Sequence, residues 1–373
     1  MYFAKENFLK PHLLAKALNC KCEIYYGENS GKEPLPEYVE ETHLICQDYR
    51  GEAYSQFFKV LWLIIKEARN ISVLMTFHIS GNILVLATFL KLLNSKAKIW
   101  VSGDIEAPRT YNGFSSYFEN RNGVKGKIMQ FLYHRLFNNI DAYTVETTQC
   151  YDILSPLFNR LSLQNLLYFP CAVDEGSVGA FDKTNTEEKE NLIISVSRFG
   201  PYQKNSEMLL EGLSKTNLNN WKVKLIGPIT SDFSLNNNPI FQSYIDKFFE
   251  NNPYLRDKIE FTGPIFDKEK LNDYFRRAKI FIMTSRHEAF ANVFAQARWY
   301  RCHIVSTDVG GAKDMSLNWK YGTMIRQEDP CDMANKMNLL LHSNISFPDN
   351  DFAKSITYQR IMEDILIPRL FPN

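Results

Sequence analysis

Short apolar segments alternate with longer amphipathic segments along the first 170 residues. The segments of strand length, rich in β-branched and aromatic residues, are CKCEIYYG, ISVLMTFH, AKIWVSG and DAYTVET. The segments between them have the length and apolar spacing of helices, as in YSQFFKVLWLIIKEARN and GNILVLATFLKLLNS. Because strands buried on both faces read as continuous apolar runs, this alternation predicts a parallel sheet covered by helices on both faces.

The pattern changes over residues 169–191, FPCAVDEGSVGAFDKTNTEEKEN, which are rich in acidic, small and turn-forming types. A domain linker is therefore predicted at 171–190. Apolar strands then resume as NLIISVS, WKVKLIG, KIEFTG, KIFIMT and HIVST, again with helical segments between them. The sequence thus predicts two α/β domains, an N-terminal one at 1–170 and a C-terminal one at 191–350.

The last segment, 351–373, contains DFAKSITYQRIMEDILIPRLF, which has the pattern of an amphipathic helix after a polar stretch. We expect this helix to return to the first domain. A chain of 373 residues suits two domains, since a single hydrophobic core rarely grows beyond about 250–300 residues.

Charge and hydropathy exclude some classes of protein. Lys and Arg number 43 against 42 Asp and Glu, for a formal net charge of +1. A dedicated nucleic-acid-binding protein would carry a clear basic excess, so no nucleic-acid partner is expected. Lys59 and Lys91 interrupt the most apolar runs well before the roughly 18 residues that a membrane span requires. We therefore expect no transmembrane segment.

The seven cysteines are odd in number and scattered, which argues against a disulfide framework and favours a reducing compartment. Cys20 and Cys22 form a CxC sequence that we interpret as strand residues rather than zinc ligands. The start of the sequence lacks the pattern of an export signal. We expect a cytoplasmic protein, with the inner face of the membrane as an alternative location.

Candidate binding residues follow the first strand of the second half. The segment SVSRFGPYQKN places Arg198 and Lys204 around a turn at Gly200 and Pro201. In an open parallel sheet, ligands bind beyond the carboxyl ends of the strands. Two neighbouring cations suit an anion between them, and a diphosphate is the commonest small anion that needs both. From the residues alone, two solvated surface charges are the alternative.

A second candidate follows the strand KIFIMT, in FIMTSRHEAFANVFAQA at 281–297. Asn292 is predicted as the N-cap of the next helix, whose N–H groups and dipole suit an anion. Glu288, just before it, would repel a close phosphate and is better suited to accept hydrogen bonds from neutral sugar hydroxyls. A helix-capping role for Glu288 is the alternative. The later segment STDVGGAKDM adds two glycines, which alone indicate only a tight turn.

Together these segments resemble the nucleotide-sugar domain of the retaining GT-B glycosyltransferases of family 4, the group that builds bacterial surface polysaccharides. SRFGPYQKNSEMLLEGL, HEAFANVFAQA and IVSTDVGGAKD follow the order of that family within about residues 191–345. In the first half, KAKIWVSGDIEA, DAYTVET and YFPCAVD are more loosely similar. The resemblance implies an α/β GT-B fold: two Rossmann-like parallel-sheet domains facing a cleft, with a C-terminal helix crossing back to the first domain.

The resemblance also implies roles for individual residues. Arg198 and Lys204 would hold the donor diphosphate and stabilise its charge as it leaves. Glu288 would bind hydroxyls of the donor sugar and completes the expected catalytic set. Backbone N–H groups would face the sugar and the phosphate at Phe290, Ala291, Asn292 and Val293. Gln296 would contact the ribose.

The sequence departs from the family's pattern at several positions. Gln296 replaces a Glu, so it can accept a hydrogen bond from a ribose hydroxyl but lacks the charge that strengthens such a bond about twofold. Arg301 and His303 stand where Gly and Pro are usual. In the first domain, Gly103 and Asp104 occupy a turn where the family often carries a His, and the glycine-rich acceptor loop is missing from the N-terminal sequence.

The mechanism that the resemblance implies is retaining and needs no metal, and no cofactor apart from the nucleotide-diphosphate sugar as co-substrate. The acceptor hydroxyl would attack the anomeric carbon on the face that the diphosphate leaves, and the leaving phosphate oxygen would take its proton. Stabilisation of the leaving group by Arg198, Lys204 and the helix N-terminus would be the main catalytic contribution. We interpret the DxD sequence of Asp349 to Asp351 as a loop rather than a metal site.

Two weaker features concern the first domain. His78, which ends the strand VLMTFH, and Asp104 are candidate cleft residues, although a packed histidine is as good an interpretation of His78. The helix KGKIMQFLYHRLF mixes basic and apolar side chains as an interfacial helix would, and a core-facing helix has the same pattern. These side chains are Lys125, Lys127, Phe131, Leu132, Arg135 and Phe137.

We therefore predict a metal-independent, retaining glycosyltransferase of the hexosyltransferase type. It would move a sugar from a nucleotide-diphosphate sugar to a saccharide acceptor, expected to be lipid-linked, in polysaccharide, capsule or glycolipid assembly, with peripheral membrane contact. The alternative is a non-catalytic GT-B homologue that binds saccharide or stabilises a partner transferase, which Gln296 and the altered first-domain loops motivate. A GT-B phosphorylase or epimerase would need a cofactor lysine or a His and carboxylate set that we do not find in the sequence.

Overall fold

The computed structural model describes residues 6–27, 35–47, 53–103, 106, 111–112, 114–116, 123–184, 188–230 and 238–372. The chain divides into two compact units. Unit 1 comprises Met1–Pro170 and Tyr358–Asn373, and unit 2 comprises Cys171–Thr357.

Unit 1 is built from apolar strands that alternate with helices. The predicted strands at CKCEIYYG, ISVLMTFH, AKIWVSG and DAYTVET correspond to its first, fourth, fifth and sixth strands. In chain order the elements up to residue 168 are α1 (Glu6–Ala17), β1 (Cys22–Gly27), β2 (Tyr38–Val39), β3 (Thr42–Gln47), α2 (Ala53–Glu67), β4 (Val73–Phe77), α3 (Gly81–Leu93), β5 (Lys98–Gly103), α4 (Gly123–Phe137), β6 (Ala142–Val145), α5 (Thr148–Arg160) and β7 (Leu166–Tyr168).

The described strands of unit 1 form two sheets rather than the single sheet that the sequence suggested. The strands β4, β5, β6 and β7 are neighbours in that order in a four-stranded parallel sheet. In a separate three-stranded sheet, β1 pairs in parallel with β3, and β2 pairs with β3 in the antiparallel direction. The β2–β3 pair was not predicted, because a two-residue strand is too short to show a periodic pattern.

The helices of unit 1 start where the sequence supplies caps. Ser80 accepts a hydrogen bond from the N–H of Ile83 at the start of α3, and Thr147 caps α5 in the same way. The inner side of α3, including Leu84 and Leu90, is fully buried with Ile99 of β5. Burial of each such side chain contributes about 1.5–3 kcal/mol, so this core fixes the helices on the sheet.

Unit 2 repeats the strand and helix alternation. Its elements are α6 (Glu175–Val178), α7 (Phe181–Thr184), β8 (Glu190–Val196), α8 (Ser206–Ser214), β9 (Lys222–Ile226), α9 (Pro239–Asn251), β10 (Ile259–Gly263), α10 (Lys268–Arg277), β11 (Ala278–Met283), α11 (Asn292–Trp299), β12 (His303–Ser306), α12 (Ala312–Met315), β13 (Gly322–Met324), α13 (Pro330–Leu341) and α14 (Asn350–Lys354). Short 3₁₀ turns lie at Tyr202–Lys204 and Pro253–Leu255. The six strands form one parallel sheet in the order β10, β9, β8, β11, β12, β13.

The segment predicted as a linker packs on unit 2. Val178 of α6 is buried, and its carbonyl accepts a hydrogen bond from Tyr300 Oη at 3.0 Å. Phe181 of α7 lies edge-on to the ring of Trp299, with 5.1 Å between centroids. This segment therefore contributes to the hydrophobic core beside α11.

The C-terminal segment is helical but interrupted. After α14 come α15 (Tyr358–Ile361), a π-helical turn (Met362–Leu366) and α16 (Ile367–Leu370), all of which belong to unit 1. The ring of Tyr358 stacks on Phe169 with 6.2 Å between centroids, and Arg369 Nε donates to the carbonyl of Asp141 at 3.3 Å. None of the helices in the described ranges is long and apolar enough to cross a membrane.

Candidate active site at a strand switch point in unit 2

The sheet of unit 2 reverses its strand order between β8 and β11. From β8 the chain moves outward to β9 and β10 and then returns to place β11 on the other side of β8. The two strands are paired in parallel, with Ile193 opposite Ile280 and Ile194 opposite Phe281, and all four side chains are fully buried. Their carboxyl ends therefore leave the same edge of the sheet, and such a switch point is where open α/β sheets bind ligands.

The loop after β8 is tightly folded around Gly200. The φ of Gly200 is +103°, and a Cβ there would lie 2.9 Å from the carbonyl oxygen of Thr230. The N–H of Phe199 donates to the carbonyl of Pro228, and the N–H of Thr230 donates to that of Phe199, each at 2.9 Å. Only glycine fits this turn without strain, and the turn fixes Arg198 and Lys204 on its two sides.

Lys204 and Glu288, both predicted from the sequence, meet across the switch point. Lys204 Nζ lies 2.5 Å from Glu288 Oε1, and the two side chains are only 14% and 8% exposed. A charge-assisted hydrogen bond in such a poorly solvated place is stronger than one between exposed side chains. The pair contradicts the alternatives that Lys204 is a solvated surface charge and that Glu288 only caps a helix.

Gln203 connects these residues and was missed in the sequence. Its Nε2 donates to Glu288 Oε2 at 3.2 Å and to the carbonyl of His287 at 3.0 Å. Its Oε1 accepts a long hydrogen bond of 3.5 Å from Arg198 Nη2. Arg198, Gln203, Lys204 and Glu288 thus form one connected group, which we call the strand-end cluster. A glutamine in a turn has no sequence signal of its own; only its place next to Lys204 could have suggested it.

Arg286 has a structural role at the same edge. Its guanidinium makes a bidentate pair with Glu328, at 2.6 and 3.0 Å, and lies 4.1 Å from the ring centroid of Tyr202. The hydrogen-bonded guanidinium holds the pKa of the Glu328 carboxyl below its ordinary value. The N–H of Arg286 also donates to the carbonyl of Gln203 at 2.8 Å. Arg286 therefore joins the loops after β8 and β11 to the segment before α13.

The start of α11 differs in one detail from the prediction. Asn292 is the first helical residue and not the N-cap; Ala291 holds the N-cap position, with no side-chain capping hydrogen bond. The carbonyl of Ala291 accepts from the N–H of Phe294 at 2.9 Å. The N-terminal end of α11 carries the positive end of the helix dipole, and it directly follows the loop that carries Glu288.

The other predicted residues of this helix lie in two environments. Phe290 and Ala291 are buried, Val293 is half-buried and Asn292 is exposed. Gln296 is half-buried one turn further along, and its side-chain amide has no hydrogen-bond partner among the described residues.

The two glycines after β12 hold the Glu288 loop from the other side. A Cβ on Gly310 would lie 1.9 Å from the carbonyl oxygen of Ala289, and one on Gly311 would lie 2.8 Å from the ring of Phe290. The φ of Gly311 is +87°. Both positions therefore require glycine, so the GG sequence serves the site and is more than a tight turn.

Arg301 and His303, which differ from the residues usual in the resembled family, make contacts that hold the local structure. Arg301 has a φ of +56°, and its Nε donates to the carbonyl of Pro348 at 2.9 Å. His303 contacts the carbonyl of Ser346 through Nδ1 and Thr323 Oγ1 through Nε2, both at 2.9 Å. Burial lowers the pKa of His303. Both side chains anchor the segment before α14.

The DxD sequence is part of that anchored segment. Asp349 caps α14, accepting from the N–H of Phe352 at 2.8 Å and from Tyr321 Oη at 2.6 Å, whereas Asp351 lies inside the helix. Our interpretation of both residues as a loop was therefore wrong for Asp351. Among the residues that the structure describes, no cluster of three or more His, Cys, Asp or Glu side chains could hold a metal ion.

The predicted residues of the first domain are not assembled into a described site. His78 is exposed at the carboxyl end of β4, with a φ of +57°, and its N–H donates to the carbonyl of Ser102 at 2.8 Å. Asp104 lies outside the described residues. Near this edge the sequence analysis missed a buried ion pair: Lys10 Nζ lies 2.5 Å from Glu146 Oε1 and donates to Ser102 Oγ at 3.1 Å.

Comparisons with known proteins agree with this architecture. Residues 180–358 match the family described as glycosyl transferases group 1. The amylovoran biosynthesis glycosyltransferase AmsD of Erwinia amylovora is 26% identical over 134 residues, which are 36% of this chain and 34% of the relative. The match thus spans about a third of the length of that curated relative.

Solved structures are similar over nearly the whole chain. A glycosyltransferase from Rickettsia africae ESF-5 has a TM-score of 0.67 at 15% identity, covering 98% of this chain and 94% of the other. An E. coli structure described as trehalose-6-phosphate bound with UDP-2-fluoro glucose has a TM-score of 0.64 at 12% identity, covering 99% and 96%. These likenesses confirm the predicted α/β GT-B fold. The chain therefore has the GT-B fold, and its residues 180–358 match the glycosyl transferases group 1 family.

Proposed function

We propose that the protein transfers a sugar from a nucleotide-diphosphate sugar to a saccharide acceptor. The observation that carries the proposal is the strand-end cluster, in which two cations and a carboxylate converge at the switch point of a parallel sheet. The group 1 domain covers all of these residues. A similar fold binds UDP-2-fluoro glucose in the E. coli structure, which supports a nucleoside diphosphate as the donor's leaving group.

Within the cluster, Lys204 and Arg198 are assigned to the diphosphate. The ammonium of Lys204 has three donors, and one of them is used by Glu288, so the others can bind phosphate oxygens. Arg198 adds a planar guanidinium suited to a phosphate. The uncapped start of α11, at Phe290 to Val293, supplies further N–H groups and a positive dipole for the same anion.

Glu288 is assigned to the donor sugar. Its two oxygens are oriented by Lys204 and Gln203, which fixes the carboxylate in one position before any substrate arrives. A carboxylate held in this way can accept hydrogen bonds from sugar hydroxyls at a defined distance from the diphosphate. Gln296 is assigned to the ribose hydroxyls, as a neutral acceptor.

The reaction that we propose proceeds with retention and without a metal. The bond between the anomeric carbon and the phosphate oxygen breaks, and the acceptor oxygen forms its bond to that carbon on the same face. The acceptor proton passes to the departing phosphate oxygen. Charge develops on the diphosphate in this step, so cations held in place beforehand lower the barrier most.

The acceptor is proposed to be a growing, lipid-linked saccharide. AmsD, which matches part of the chain, is described as a glycosyltransferase of amylovoran biosynthesis. Synthesis of a polysaccharide, a capsule or a glycolipid is therefore the setting that we favour.

The test is sugar transfer, or donor hydrolysis, with a panel of uridine, guanosine and adenosine diphosphate sugars. We expect Glu288→Ala and Lys204→Ala each to lower turnover at least about tenfold while the protein stays folded. Lys224 and Glu260 form a second ion pair in the same unit, on β9 and β10, so Lys224→Ala and Glu260→Ala are matched controls that should keep full turnover. Unchanged turnover in a cluster variant would remove that residue from the mechanism.

The same panel decides the non-catalytic alternative, which the neutral Gln296 motivates. A folded protein that is inactive with every donor, and yet binds a saccharide, would support it. Gln296→Glu restores the charge usual in the resembled family, and we expect it to tighten binding of the donor.

A further inference from the structure

Unit 1 exposes an apolar surface on three neighbouring helices. The helices α2, α3 and α4 contact one another in that order, and their inner sides are packed on one core with β5 and β6. We use the name three-helix surface for their large exposed apolar side chains: Phe58, Trp62, Ile65, Phe89, Leu92, Leu93, Val124, Ile128, Phe131 and Leu132.

These side chains recur with helical spacing, and they lie on the sides of the helices that face away from the core. Val124, Ile128 and Phe131 recur on one side of α4, as Phe58, Trp62 and Ile65 do on α2. On α4 the side chain of Phe137 is fully buried, whereas Ile128 and Phe131 are 54% and 62% exposed. An apolar stripe normally faces the core, so the core-facing interpretation of this helix explains only its last turn. Large apolar side chains exposed on three neighbouring helices indicate an interaction site.

Charge complementarity indicates the partner. The chain as a whole is nearly neutral, but these helices carry a basic excess in which Glu67 is the single acidic residue. Lys91 pairs with Asp141 at 2.8 Å, and Lys66 lies 3.4 Å from Glu67. The basic residues are Lys59, Lys66, Lys91, Lys125, Lys127 and Arg135.

Beside α2 the surface is concave. A groove of about 720 Å³ lies between α2 and the strands β1 and β3, with Tyr25, Ile45, Trp62 and Lys66 among its lining residues. Lys66 Nζ lies 5.7 Å from the ring centroid of Trp62. An indole beside a lysine suits the boundary between acyl chains and headgroups, where tryptophan and basic side chains are favoured.

We propose that the three-helix surface docks the protein on an anionic phospholipid bilayer. The apolar side chains would enter the boundary between headgroups and acyl chains, and the exposed Lys125, Lys127 and Arg135 would contact lipid phosphates. A second copy of the chain fits less well, because it would bring two basic surfaces together. The proposal goes beyond sugar transfer and does not depend on it, although a lipid-linked acceptor would give the docking a use.

The test is co-sedimentation of the protein with vesicles of phosphatidylcholine, with or without phosphatidylglycerol. We expect binding only when phosphatidylglycerol is present, and weaker binding as salt is added. We expect two double variants of α4 each to weaken binding at least about tenfold: Lys125→Glu with Lys127→Glu, and Ile128→Ser with Phe131→Ser. Matched controls on exposed sites of unit 2 are Lys247→Glu with Lys270→Glu, and Phe266→Ser with Leu339→Ser; these should bind as the unaltered protein does.

Thermal melting of every variant verifies that it is folded. The vesicle assay contains no sugar donor, so its result does not depend on the enzymatic test. Equal binding by surface and control variants would overturn the proposal, as would a folded unaltered protein that does not bind the anionic vesicles. The oligomeric state is measured by sedimentation without lipid. If the unaltered protein is a dimer and the double variant Ile128→Ser with Phe131→Ser is a monomer, the three-helix surface binds a second copy of the chain, and the proposal is overturned.

Discussion

At the scale of single residues, Gln203 shows how a neutral side chain can organise a charged site. It holds Glu288 Oε2 and the carbonyl of His287 with one amide group, and it receives a hydrogen bond from Arg198. It is thus a positioning residue between the group assigned to the diphosphate and the one assigned to the sugar.

We predict that Gln203→Ala lowers kcat/KM for the donor by about tenfold, the value of one hydrogen bond to a charged group. Gln203→Glu should lower it further, because it places a second carboxylate beside Glu288. Steady-state kinetics measures both. Gln242→Ala is the control, since Gln242 bonds to Asp246 on the exposed side of α9. A folded Gln203→Ala variant with unchanged kcat/KM would contradict the positioning role.

His303 predicts a pH dependence of stability. Burial lowers its pKa below the ordinary value of about 6.5, so the unfolded chain takes up a proton before the folded one as the pH falls. The contribution of the neutral, buried His303 to the free energy of unfolding is therefore complete above about pH 6.5. This contribution is lost as the pH falls through the lower pKa that His303 has in the folded state.

Thermal melting across this range checks the prediction. We expect the Tm of His303→Gln to fall less steeply below about pH 6.5 than that of the unaltered protein. His342→Gln, at an exposed position, should keep the original slope. Equal slopes for His303→Gln and the unaltered protein would show that His303 does not cause the acid sensitivity.

The sequence indicated the position of a charged residue where that residue directly follows a predicted strand, whereas the roles of these residues stay predictions. Lys204 and Glu288 could be placed together because the carboxyl ends of parallel strands meet at one edge. Gln203 could not be recognised, since its role depends on contacts 84 and 85 residues away along the chain. The N-cap at Asn292 was wrong by one residue because Ala291, which has no capping side chain, takes that position.

At the scale of elements, the buried Lys10–Glu146 pair links α1 to the main sheet of unit 1. Lys10 is fully buried and reaches Ser102 near the end of β5 and Glu146 directly after β6. The apolar runs of the sequence predicted the strands β5 and β6, but local periodicity says nothing about a pair 136 residues apart.

We predict that Lys10→Met lowers the free energy of unfolding of unit 1 by about 3–5 kcal/mol, because Glu146 loses its buried cation. The double variant Lys10→Met with Glu146→Leu should recover most of this loss, since it removes both charges. Urea unfolding measures the change. Lys354→Met, which breaks the exposed pair with Asp351, should cost less than about 1 kcal/mol. A Lys10→Met variant as stable as this control would contradict the assignment.

At the scale of the whole molecule, the two units carry different chemistry. Unit 2 holds the strand-end cluster at its switch point, and unit 1 holds the basic three-helix surface. The alternation of strands and helices predicted parallel α/β structure in both halves. It could not predict the separate β1–β3 sheet or the apolar stripe of α4 that faces solvent, because hydrophobic spacing shows that a helix has two faces and not which one is buried.

The central claim is that the strand-end cluster binds the diphosphate of a nucleotide-sugar donor. The direct measurement is isothermal titration of uridine, guanosine and adenosine diphosphates into the unaltered protein, Lys204→Ala and Lys224→Ala. We expect at least one diphosphate to bind, Lys204→Ala to weaken its Kd at least about tenfold, and Lys224→Ala to leave the Kd unchanged. No binding of any diphosphate, or an equal Kd for Lys204→Ala and the unaltered protein, would contradict the account.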